Sequence, residues 1–246
     1  MSYNTGPKIV TDGLVLCLDA ADRNSYPGSG TTWYDLSGHS NKASLENGMV
    51  YETINGGGLL MDGGDEYLDV PYNSSTFDHF STGDFTVETF VRSDNVVYPR
   101  SRHPLKIGHT VYSGKKGWSV GHVASSSSIQ IRASNGSSSS VVTINHSEIA
   151  ESTYYHRAFS VSRSNGISTA CYLNASLIGT ASSTGLTGSI YDGSQTSDFG
   201  SSGLVIGYVW GWRYIGSINI VRVYNYALSA DEVRRNYNAT KGRFGL

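Results

Sequence analysis

The stretch from Leu204 to Tyr237 constrains the fold more than any other: an apolar run, an aromatic loop, a second apolar run, then one well-signalled helix. Ser229 and Glu232 stand as N-cap and N3 of a capping box, and Leu228 and Val233 fall at N′ and N4, where they form a hydrophobic staple across the first turn. The spacing predicts a helix over 229–238. The preceding Ile218-Asn219-Ile220-Val221-Arg222-Val223-Tyr224 is rich in β-branched and aromatic residues, lacks Gly and Pro, and is too short for an independent helix. It reads as a buried strand.

The same signal recurs upstream. Residues 14–18, 59–61, 67–70, 85–91, 118–122, 129–132, 141–144, 155–162, 168–173 and 177–179 are short apolar or alternating runs separated by turn formers. Along 85–91 the alternation places Phe85, Val87, Thr89 and Val91 on one face of the pleat and Thr86, Glu88 and Phe90 on the other. About a dozen short strands with no repeat and no linker predict one antiparallel sandwich. The expected organisation is an N-terminal arm over 1–13 and one domain over 14–246.

Composition narrows the function classes. Charged residues make up only 15% of the chain, against about 25% in ordinary globular domains, so the surface is hydroxyl-rich rather than ionic. A net charge of −2 and the absence of a Lys/Arg stripe argue against nucleic acid as a partner. No apolar run approaches the roughly 20 residues of a membrane helix, which argues against a membrane partner. The first residues carry no basic segment followed by an apolar one, so no signal peptide is expected and synthesis in a cytoplasm is. Cys17 and Cys171 are too few for a disulfide framework and read as small buried hydrophobes rather than a pair.

Gly13-Leu14-Val15-Leu16-Cys17-Leu18-Asp19-Ala20, Thr32-Trp33-Tyr34-Asp35-Leu36-Ser37-Gly38, the segment 60–68, the strand 85–91, Cys171-Tyr172-Leu173-Asn174 and above all 216–232 resemble, in this order, laminin-G-like domains of the concanavalin A-like lectin/glucanase superfamily. The opening segments are more particularly similar to stand-alone members encoded by tailed bacteriophages. The resemblance implies an all-β fold, an antiparallel jelly-roll sandwich of two curved sheets with one short C-terminal helix. Ligands or partners would be met by its rim loops or concave face. It further implies a non-enzymatic virion accessory protein of a capsid, neck or tail. Other virion proteins, a homo-oligomer with a trimer favoured, and host-surface glycans are the expected partners; a stand-alone carbohydrate-binding lectin module is the alternative. Two positions depart from the family pattern. Asn219 stands where the family has Asp, and Asn174-Ala175 replaces the usual Asn-Gly turn, which predicts a wider turn or one of another type.

The glucanase branch places alternating acidic residues on one strand face, whereas the matching strand here offers Glu88 alone, so no catalytic residue is assigned. Related lectin-like domains hold one calcium ion at the rim. Asp62, Asp65 and Glu66, on a Gly-rich turn, are candidate oxygen ligands, although ordinary turn chemistry accounts for the same residues. No other cofactor is expected. The aromatic loop is the candidate ligand- or partner-binding surface. In an extended segment Tyr208, Trp210, Trp212 and Tyr214 share one face, opposite Val209, Gly211 and Arg213, and such rings stack on sugars or fill a partner's pocket; core packing is the competing reading. Trp33 and Tyr34, with Tyr26 and Pro27, form a second aromatic cluster that is a candidate for the same rim.

Overall fold

The computed structural model describes residues 7–94, 105–108, 114–123, 128–145, 150–191, 203–209 and 212–246. The strands are β1 (Leu14–Asp19), β2 (Thr32–Tyr34), β3 (Lys42–Glu46), β4 (Val50–Glu52), β5 (Gly58–Asp62), β6 (Tyr67–Val70), β7 (Phe85–Ser93), β8 (Leu105–Gly108) and β9 (Lys116–Val123). They continue as β10 (Ser128–Asn135), β11 (Ser139–Asn145), β12 (Thr153–Ser162), β13 (Ile167–Leu173), β14 (Ser176–Ser183), β15 (Leu204–Ile206), β16 (Tyr208–Val209), β17 (Trp212–Arg213) and β18 (Ile215–Tyr224). One turn of helix, α1 (Ser74–Phe77), follows β6, and α2 (Ala230–Thr240) follows β18.

Among the described residues two eight-stranded antiparallel sheets face each other. The first runs β14-β13-β12-β7-β18-β5-β4 with β1 also on β18; the second runs β11-β10-β9-β8-β15-β6-β3-β2. Alternation explains the layering. Phe85, Val87 and Val91 of β7 join Tyr155, Phe159, Val221 and Val223 in the core between the sheets, where they meet Trp33, Leu68, Leu105, Trp118, Ile129 and Ile206 of the second sheet. β18 is the pivot of the first sheet: β7 lies along one edge, and β1 and β5 share the other, with Leu16 opposite Val223 and Ile218 opposite Leu59.

The helix forms as its sequence dictates. Glu232 N donates to Ser229 Oγ at 3.3 Å and Ser229 N donates to Glu232 Oε2 at 2.8 Å, closing the capping box. Leu228 and Val233 are buried in one cluster with Val10, Ala158 and Tyr224, so the staple also pins the helix to the outer face of the first sheet. The arm contributes to the same cluster, with Val10 N donating to Asn236 Oδ1 at 2.7 Å. Cys17 and Cys171 are both buried and unpaired, and burial pushes their thiols up to about 11 and about 12.

Two features depart from the sequence pattern. The runs at 59–61 and 67–70 are strands joined by a turn, but β5 belongs to the first sheet and β6 to the second, so the turn is a corner between layers. The turn after β13 is neither widened nor relaxed: Leu173 pairs with Ser176, and Asn174 and Ala175 take positive φ of 48° and 63°. Asn174 is held by β12, donating its N–H to His156 O and accepting from His156 N at its Oδ1, each at 2.9 Å. Ala175 bears the steric cost of the left-handed region unaided. Ala175→Gly is therefore expected to stabilise the domain by about 1 kcal/mol, read as a higher urea midpoint at unchanged m-value.

Candidate binding rims

The aromatic loop is a β-hairpin, not an extended segment. Tyr208 pairs with Arg213 and Val209 with Trp212, and cross-strand partners share a face, so the chain reversal inverts the period-two pattern expected from the sequence. Tyr208 thus lies on the face of Arg213, whose guanidinium carbon is 5.6 Å from the Tyr208 ring centroid. Tyr208 is 9% exposed and Tyr214 only 1%. Tyr214 belongs to the core and donates its hydroxyl proton to Arg92 O at 2.7 Å. Trp210 lies outside the described residues, and of Trp212 only the backbone is described. Trp33 and Tyr26 also enter the core, leaving Tyr34 as the exposed ring of that cluster.

The acidic turn sits on the same rim. A Cβ at Gly207 would lie 2.4 Å from Met61 Sδ and 3.2 Å from Glu66 O, so only glycine lets the hairpin root rest this closely on the turn. Gly64 N donates to Asp62 Oδ1 at 2.9 Å, and Asn47 Nδ2 donates to Asp65 O at 2.9 Å. Burial, then the adjacent Asp62, holds the Glu66 carboxyl above its ordinary range. Among the described residues no group of three His, Cys, Asp or Glu side chains is arranged to hold a metal ion.

Glu88 is sealed between the first sheet and α2. Its side chain is 0% exposed. Its Oε1 accepts from His156 Nε2 at 2.8 Å and Arg222 Nη1 at 3.2 Å, and its Oε2 accepts from Asn236 Nδ2 at 2.8 Å. Burial by itself raises the carboxyl pKa. The Arg222 charge and the hydrogen bonds from His156 and Asn236 outweigh it and hold the group below its ordinary value, as the carboxylate. Arg222 Nη2 extends the cluster to Thr240 Oγ1 at 3.1 Å. With three donors on it and no exposed surface, this carboxylate holds the helix to the sheet.

The sequence model of the concanavalin A-like lectin/glucanases superfamily matches residues 62–234. The chain belongs to this superfamily. No curated protein sequence matches it. Among solved structures, this superfamily member is similar to the binding domain of botulinum neurotoxin DC in complex with rat synaptotagmin II, at TM-score 0.65 and 15% identity over 94% of this chain and 52% of that one. It is similar to the same binding domain in complex with SialylT, at 0.65 and 16% over 94% and 52%. A botulinum neurotoxin type C structure concerned with cell entry through two ganglioside molecules gives 0.65 and 15% over 94% and 52%. The chain spans about half the length of these structures, and at such identities the likeness is one of fold.

A second rim of this lectin-like sandwich was not visible in the sequence. β6 and β15 are antiparallel, with Leu204 opposite Val70 and Ile206 opposite Leu68, so the hairpin leaves the sandwich at the start of β6 and the segment after Val70 leaves at the other end. There Tyr72, 37% exposed, stands between two clefts. One, of about 430 Å³, is lined by Asp78, Ser81, Thr82, Ser189 and Tyr191. The other, of about 220 Å³, is lined by Ser40, Asn41, Lys42, Pro71, Tyr72 and Asn73. These residues come from three distant parts of the chain and share no period. The one local cue is Pro71-Tyr72 directly beyond a strand.

Proposed function

We propose that this chain is a non-enzymatic, lectin-like accessory protein of a bacteriophage virion, carried on the capsid, neck or tail, that contacts other virion proteins and a host-surface glycan. The burial of Glu88 carries the choice of binding over bond-breaking. On the strand where the glucanase branch sets its acids, the single carboxylate is closed off by a helix and neutralised by an arginine. The phage assignment is supported by the opening segments 13–20 and 32–38. Glycan recognition is supported by superfamily membership and by the SialylT and ganglioside structures that share the fold. The hairpin around Arg213 is the surface offered to a partner, and Tyr214, buried in the core, is excluded from it.

Self-association, with a trimer favoured, is supported by the edges of the sheets. Among the described residues β11 and β14 are the outermost strands on one side of the sandwich, and neither contains a charged residue or a proline. Val141 and Leu177 are 53% and 58% exposed there, and although β14 is bulged at Ile178, neither strand has the lysine or proline with which solitary sheet proteins blunt such edges. Immunogold electron microscopy of purified particles, with antibody against this chain, tests the reading: label at one position on the particle and an oligomeric mass by light scattering are expected. Unlabelled particles together with tight glycan binding by a monomer would leave a stand-alone lectin module. Release of reducing sugar from bacterial polysaccharide, abolished by a Glu88 substitution, would overturn the non-enzymatic assignment.

A further inference from the structure

We infer that the groove around Tyr72 is the saccharide seat of the domain, and that it takes a glycan of at least two sugar units lying across the Tyr72 ring. The inference rests on the glycan-binding part of the reading above and moves the sugar to the rim opposite the aromatic hairpin, leaving the hairpin to protein partners.

The ring is a fixed platform. The Tyr72 hydroxyl donates to Asp78 Oδ1, and its ring packs 5.7 Å from that of buried Tyr191, tilted by 41°. Tyr191 in turn lies 6.5 Å from Phe77, which stacks on Phe80 at 5.5 Å. The exposed aromatic therefore rests on three buried ones, and little conformational freedom remains to be lost when a ligand settles on it.

The walls are equally fixed. Ser81 and Ser189, from loops 108 residues apart, hydrogen-bond through their hydroxyls at 2.8 Å, and Ile190 N donates to Ser81 O at 3.0 Å. On the other side Asn41 Nδ2 donates to Val15 O and Asp35 Oδ2, while Asn41 Oδ1 accepts from Asn73 Nδ2 and Thr76 Oγ1, all at 3.0 Å. Asn41 is thus committed to the frame. Ser189 is committed too, its hydroxyl donating to Tyr191 O and accepting from Tyr191 N and Ser81, so the groups presented to a ligand are the Tyr72 ring, the Asp78 carboxylate, the hydroxyls of Ser81 and Thr82, and Lys42.

That set selects by chemistry. Apart from ring faces and Pro71 the lining is polar, which disfavours an acyl chain, and the Asp78 carboxylate repels a phosphate or nucleic acid backbone. A saccharide satisfies both requirements. Its C–H face stacks on the aromatic ring, and its hydroxyls donate to Asp78 and to Ser81 and exchange hydrogen bonds with Thr82. Because the clefts lie on either side of Tyr72, a chain of two or more units fills both while stacking on the ring between them.

The test uses an array of bacterial surface-polysaccharide fragments probed with the full chain, its Tyr72→Ala and Tyr72→Phe variants, and Trp212→Ala. Tyr72→Ala is expected to lose roughly ten-fold in affinity for whatever fragment the unaltered chain binds, with its melting temperature within a degree or two because the ring is partly solvated. Tyr72→Phe keeps the platform and should lose only about two-fold, and Trp212→Ala should bind normally. Binding retained by Tyr72→Ala but lost by Trp212→Ala would overturn the placement while preserving glycan recognition. Silence of the unaltered chain across the array would overturn both.

Discussion

Replacing Glu88 by alanine is expected to cost about 3–5 kcal/mol, because it strands the buried Arg222 guanidinium without a counter-charge. The same change deprives His156 Nε2 of its acceptor and Asn236 Nδ2 of one of two, leaving it only the Tyr224 hydroxyl. Both sit where α2 meets the sheet, so the helix should loosen first, seen as faster amide exchange over 230–240 than in the rest of the domain. The pH dependence supplies an independent reading. The Glu88 carboxyl is held below its ordinary value in the fold, so the unfolded chain, with a glutamate near 4.3, takes up the proton first. The contribution is therefore fully present above that value and is lost as pH falls through the lowered native one. Glu88→Ala removes this acid-labile portion, and its stability profile below about pH 4.5 should be flatter than that of the unaltered protein. A loss under 1 kcal/mol at neutral pH would mean that the cluster is not holding the helix.

Gly216→Ala is expected to be comparably severe, for a backbone reason. Gly216 has φ of 145°, and a Cβ there would sit 1.9 Å from Arg92 O and 3.0 Å from Arg92 C and Ser93 Cα on the neighbouring strand. None of these atoms is the end of a flexible side chain, so β18 would have to move away from β7 where Gly216 pairs with Ser93. Strain and overpacking together are expected to cost about 3–5 kcal/mol. Gly38→Ala is the control: its φ is 93°, yet nothing lies within 4 Å of the added carbon, so it should cost only about 1 kcal/mol. Equal urea midpoints for the two variants would show that the close approach to Arg92 does not matter.

Whatever in this fold is specified locally could be read in advance. The capping box at Ser229 and Glu232, the alternation along β7 and the burial of 218–224 each depend on residues within a few positions of one another, and each formed as the spacing required. What depended on chain reversal or layer assignment could not be read. The hairpin at 208–213 inverts the face on which alternate residues lie, and Tyr26 and Trp33, which no predicted strand contained, both turn inward, Trp33 from β2 opposite Ala43 of β3. Glu88 was legible as a lone acid but not as a sealed one, since α2, Arg222 and His156 reach it from elsewhere in the chain. The Tyr72 groove joins residues from 40–42, 71–82 and 189–191, and no periodicity links segments so far apart.

The position of β18 has a consequence for synthesis. Among the described residues it is the last strand to leave the ribosome, yet β1, β5 and β7 all pair with it. At translation rates of about 5–20 residues per second, β1 waits roughly 10–40 s for its partner while the strands between emerge. Throughout that interval β1, β5 and β7 lack the strand that joins them, and their open edges are free to mispair. A message truncated before the codon for Ile215 yields material fit only for proteolysis.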